Sequence, residues 1–135
     1  MGAPRTLTKK QVTDMLAKGT SLCDVDLRGV DLSGLCFDHA DLRMAKLGQC
    51  NLSRATFRGT NLAYASFWQA DCKDACFDGA ILEEVDFDLT NLDGCTFRNA
   101  RIRKSIFPVP KINLDDIAKS VRTGARIQMA GELGV

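Results

Sequence analysis

The chain has 135 residues, 45% of them hydrophobic, with 18 lysines and arginines against 17 acids and one histidine. That length supports one domain with a filled core and argues against two. A formal charge of +1 excludes the basic track expected of a dedicated nucleic-acid binder, and no apolar run reaches the roughly 18 residues of a membrane span.

No basic-then-apolar segment opens the chain as a secretory signal, so the expected location is the cytoplasm. Met1, Gly2 and Thr6 fit the loose myristoylation pattern, and Asn51-Leu52-Ser53 is a formal glycosylation sequon; neither is specific enough to carry a function. The first predicted element lies in a cap spanning 1–24. There "LTKKQVTDMLAKG" reads as a helix with Thr8 as N-cap, Gln11 as its capping-box partner and Gly19 as the stop. Leu7 and Val12 fit a hydrophobic staple, and Val12, Met15 and Leu16 form an apolar stripe that would lie as a lid on the next element.

Residues 25–107 carry a period of five. Apolar residues recur as Leu22, Leu27, Leu32, Phe37 and onward to Ile102 and Phe107 without an insertion. Two places before each stands a second, usually smaller residue, as in Val25, Ala40, Cys50 and Ala100. Asp or Asn is common between the two, as in Asp41, Asn51, Asn61 and Asp71. Five matches neither the 3.6 of a helix nor the 2 of a strand. Two inward residues in extended backbone, followed by three that turn the chain, would wind it around a filled axis.

The segments "ADLRM", "CNLSR", "TNLAY" and "TNLDG" resemble the A-[D/N]-L-x-x pattern of the pentapeptide-repeat family. The resemblance implies an all-β solenoid, a right-handed quadrilateral β-helix of about four coils with four pentapeptides per coil. Residues twenty apart should then stack. One column reads Phe37, Phe57, Phe77, Phe97, and another Leu47, Phe67, Phe87, Phe107. Asp38, Arg58, Asp78 and Arg98 alternate in sign along an outward column, which would set opposite charges on adjoining coils.

The remaining 108–135 form a C-terminal helical cap. "PVP" breaks the register, and "NLDDIAKSVRTG" reads as a helix from an Asn113 N-cap to Gly124. The apolar tail after it packs on the last coil or on a second copy. Relatives often dimerise through this end, so the resemblance allows a homodimer through the C-terminal segment.

Six cysteines occur without a C-x-x-C pair, a pattern of free thiols that calls for no metal and no cofactor. His39 stands at an outward turn, and Glu83 and Glu84 are neighbours on one turn, not a facing pair. With no catalytic constellation, the expected role is a non-catalytic protein-protein interaction module or scaffold, its partner another protein. The candidate contact patch is Met44, Tyr64, Trp68 and Leu89, with Tyr64 and Trp68 expected on either side of one corner. Arg101, Arg103 and Lys104 form a candidate basic edge that could engage Glu83 and Glu84 or an acidic partner. The alternative that the resemblance offers is a DNA mimic that binds a type II topoisomerase. Between Asp24 and Phe107 there are 13 acids against 10 bases, a thin charge beside the one per 1.7 Å of duplex DNA.

Overall fold

The computed structural model describes residues 7–130, so the myristoylation pattern and the last five residues of the tail lie outside the described residues. From Asp26 to Ile106 every fifth residue forms a parallel bridge to a residue twenty positions away, and a turn separates each bridge from the next. The bridges fall into four columns, which define four faces. Face I runs Asp26, Lys46, Ser66, Asp86, Ile106; face II Asp31, Asn51, Asp71, Asn91; face III Cys36, Thr56, Cys76, Thr96; and face IV Asp41, Asn61, Ile81, Arg101.

Backbone hydrogen bonding explains the repeat. In the pentapeptide Thr60–Tyr64, the Thr60 N–H closes a turn on the Phe57 carbonyl (3.2 Å) and the Asn61 N–H reaches back one coil to Ala40 (3.0 Å). The N–H groups of Leu62 and Tyr64 reach forward to Ile81 and Glu83, both at 2.9 Å. Ala63 N–H donates to the Asn61 side-chain oxygen at 3.2 Å. All five donors are thereby paired, as buried or half-buried backbone requires. The Asp or Asn of the repeat is the acceptor for the one N–H that the neighbouring coils do not reach, and Asp26, Asp31, Asp41, Asn51, Asp71, Asp86 and Asn91 repeat the bond.

Face III carries Cys and Thr where the other faces mostly carry Asp or Asn, and it solves the problem across coils. Asp38 accepts the Arg58 N–H at 2.9 Å, and Asp78 accepts the Arg98 N–H at 3.0 Å. The alternating Asp and Arg column is therefore first a set of backbone caps. A guanidinium pair forms at Asp38–Arg58 (3.6 Å), whereas the Arg98 side chain runs along Gly124.

The axis is filled. Phe37, Phe57, Phe77 and Phe97 stack nearly parallel with centroids 4.9–5.2 Å apart, and Phe67, Phe87 and Phe107 stack at 5.0 and 5.4 Å. The two stacks meet edge to face at 5.5–6.3 Å. A spacing close to that of paired strands is what in-register stacking imposes. Among the described residues each buried hydroxyl in the core has a partner, and so do two of the three buried thiols. Thr60 and Thr90 donate their hydroxyls to the carbonyls of Phe37 and Phe67 (2.7 Å each), and the Cys50 and Cys95 thiols donate to Leu27 and Cys72 (2.8 and 2.9 Å). All six cysteines are free.

Both caps form from the expected signals. Helix α1 (Lys9–Ala17) has the Thr8–Gln11 capping box in both directions, and its Val12 is fully buried. The Lys9 ammonium donates to the Ser33 carbonyl at 2.8 Å, an acceptor that inner coils give to the preceding coil. The solenoid starts before the expected boundary at 25, because Leu22 is already buried and bonded to Asp41. Helix α2 (Leu114–Thr123) starts at Asn113 and ends on Gly124, whose φ of 79° is the left-handed conformation a helix stop needs. Together α2 and the segment after it replace half a coil. Phe97 N–H donates to the Ser120 hydroxyl, Asn99 N–H to the Val121 carbonyl, Gly94 N–H to the Ile127 carbonyl, and Leu92 N–H to the Met129 sulfur.

Candidate functional site

Corner after corner of the solenoid ends on a residue with φ between 53° and 79°, whichever side chain it carries. Glycine fits there without cost; Met44, Tyr64 and Leu89 occupy the same left-handed conformation with bulky side chains, at about 1 kcal/mol each. Their side chains are thrown outward, leaving them 47%, 60% and 60% exposed. Trp68 is 42% exposed one corner further on from Tyr64.

Tyr64 and Trp68 do not flank one corner as expected. They occupy two successive turns, 63–64 and 68–69, with the Ser66 bridge of face I between them. A five-residue repeat places outward residues four apart on neighbouring corners, so the two rings border a whole face. Met44 stands one coil before Tyr64 on the same corner, and Leu89 lies one coil after Gln69 on the Trp68 side. Ile106 and Val109, passed over in the sequence, extend this apolar side, and both are more than half exposed. The signal for Ile106 was present: it occupies a bridge position that Asp, Ser or Lys fills elsewhere on face I. Thus six of the seven large exposed hydrophobics among the described residues border face I, and only Leu114 stands apart.

Two concavities flank this face. Beside Tyr64 is a cleft of about 220 Å³ lined by Glu83, Glu84, Arg103 and Lys104. There the hydrogen bond to Glu84, and then its charge, push the Tyr64 phenol above its ordinary pKa. Arg103 and Lys104 share the cleft with the two glutamates, yet no ion pair within 4 Å joins them among the described residues. Beside Leu89 is a groove of about 500 Å³, walled by Val109, Pro108 and Met129 and edged by Asp88 and Lys73. The imidazole of His39 lies over Gly59 of the next coil, a packing role.

The family model for the pentapeptide repeat region matches residues 20–97. The chain belongs to the pentapeptide-repeat family. A pentapeptide repeat protein from Nostoc PCC 7120 is 28% identical over 85% of this chain and 96% of its own, with a TM-score of 0.77. Another, from the thylakoid lumen of Arabidopsis thaliana, is 26% identical over 73% of this chain and 85% of its own, with a TM-score of 0.56. No curated protein sequence matches the chain. Asx-capped corners and stacked phenylalanines are thus the physical content of this pentapeptide-repeat sequence.

Proposed function

We propose that this pentapeptide-repeat protein is a non-catalytic interaction module, a rigid rod that presents face I to a partner protein. The observation that carries the reading is the collection of Met44, Tyr64, Trp68, Leu89, Ile106 and Val109 along one side of an otherwise polar rod. Scattered apolar residues are normal on a surface, whereas a one-sided collection with two large aromatics has the composition of an interface centre. The filled axis supports the non-catalytic part, since the core has no room for a substrate. The pentapeptide-repeat neighbours support right-handed winding of the four-sided coil. Six free thiols fit a reducing compartment such as the cytoplasm.

Charge pairing favours this reading over DNA mimicry. Asp26, Asp41 and Asp38 are each held by an arginine, at 2.7, 2.8 and 3.6 Å, so these carboxylates do not form a bare acidic surface. The test is partner capture from extract by the wild type and by Tyr64→Ser/Trp68→Ser, with circular dichroism verifying the fold of both. A partner held by the wild type and lost by the variant supports face I. Equal capture by both removes face I from the function, and a captured topoisomerase would restore the DNA-mimic alternative.

A further inference from the structure

The C-terminal end of the solenoid is capped on two faces and open on a third. In each inner coil of face IV, the forward-pointing N–H groups find carbonyls on the next coil: Leu62 and Tyr64 bond to Ile81 and Glu83, and Leu82 and Glu84 to Arg101 and Arg103. On the last coil α2 and the tail provide these acceptors for faces II and III, at Leu92, Gly94, Phe97 and Asn99. Over face IV none of the described residues does. Among the described residues Ile102 N–H and Lys104 N–H have no acceptor, and the Ala100 carbonyl has no donor although its equivalent, Ala80, takes the Arg101 N–H. Ile102 tops its column half-buried, and Arg101, Arg103 and Lys104 are exposed and lie more than 4 Å from any carboxylate among the described residues.

An open parallel edge of this kind is a template for one more strand. We propose that face IV at this end takes up an extended acidic segment of another protein, which adds as the first stretch of a further coil. The repeat fixes its register. A small inward residue is followed by an outward one whose N–H donates to the Ala100 carbonyl and whose own carbonyl accepts from Ile102 N–H. Next comes an apolar residue covering Ile102, and then an outward residue whose carbonyl accepts from Lys104 N–H. The outward side chains would stand over Arg101 and Arg103, as outward residues do between all adjoining coils, so they should be Asp or Glu. The segment is therefore small-acid-apolar-acid.

The same charges argue against a second copy as the occupant. A two-fold pairing of this edge with itself would oppose Arg101, Arg103 and Lys104 to the same three residues, a like-charge arrangement that suppresses association. This edge meets face I at the Arg103–Lys104 corner, which lines the cleft beside Tyr64, but it shares none of the exposed apolar residues of face I, so the two readings are tested by different substitutions.

The probe is the capped, fluorescein-labelled peptide ADLEGADLEG, titrated into the whole chain and followed by anisotropy and by amide exchange at Ile102 and Lys104. We expect binding below about 1 mM, weakened about tenfold by Arg101→Glu/Arg103→Glu, with those two amides slowed on peptide addition. Methylating the backbone nitrogens of both aspartates in the peptide should weaken binding about as much, because it removes the donor to Ala100 in either register. Undiminished binding of the methylated peptide would reduce the contact to charge alone and overturn strand addition. Absence of binding at low salt overturns it too. Slow exchange of the two amides without peptide also overturns it: in a dimer by sedimentation the occupant is a second copy, and in a monomer it is the chain itself.

Discussion

Phe77, like Phe87, makes four aromatic contacts in the axis. It is fully buried between Phe57 (4.9 Å, 3°) and Phe97 (5.2 Å, 5°), with Phe67 and Phe87 edge-on at 5.7 and 5.5 Å. Phe77→Ala removes the ring from four aromatic contacts at once and leaves a void that stacked coils cannot close without breaking their hydrogen bonds. The expected loss is about 4 kcal/mol, within the range for a buried Phe→Ala change and toward its upper part because of the aromatic pairs. For a chain this size that lowers Tm by on the order of 15 °C. Phe77→Leu, which places in this column the residue type of the neighbouring columns, should cost about 1–2 kcal/mol. The assay is urea unfolding followed by circular dichroism, with Trp68→Ser as the outward control at under about 0.5 kcal/mol. A Phe77→Ala loss under about 1.5 kcal/mol, or a Trp68→Ser loss equal to it, would refute the stacked-axis account.

The corners, the surface ion pairs and the thiols each give a further expected outcome. Tyr64→Gly should raise stability by about 1 kcal/mol, since φ is 64° there, and should do so over Tyr64→Ala; equal midpoints in urea would contradict the corner strain. Arg28 holds the Asp26 carboxyl at about 2, first by its side-chain hydrogen bonds and then by its N–H. A lowered folded pKa adds stability above the unfolded value near 3.8 and loses it as pH falls through the folded one. Wild type should therefore lose stability between about pH 4 and pH 2 more steeply than Asp26→Asn, which keeps the acceptor for the Arg28 N–H; parallel urea midpoints over that range would remove the pair from the acid response. Finally, maleimide should label exposed Cys36 first in the native protein. Cys50, whose thiol burial pushes up to about 11, should react with Cys72 and Cys95 only on unfolding, as peptide mass mapping would show.

The sequence by itself determined the repeat, the phenylalanine columns and both caps, because each depends on local chemistry or on a fixed spacing. A residue every fifth position must point inward if the coil closes in twenty, and Thr8, Asn113 and Gly124 satisfy helix ends within a few residues of themselves. The outward side of Met44, Tyr64, Trp68 and Leu89 came from the same arithmetic. What only the tertiary structure decided concerns groups brought together by stacking. That Asp38 and Asp78 cap N–H groups one coil away depends on which coil lies alongside. That Tyr64 and Trp68 border one face depends on where the corners fall. The uneven capping of the last coil depends on how α2 and the tail fold back over faces II and III, a long-range path that no five-residue period encodes.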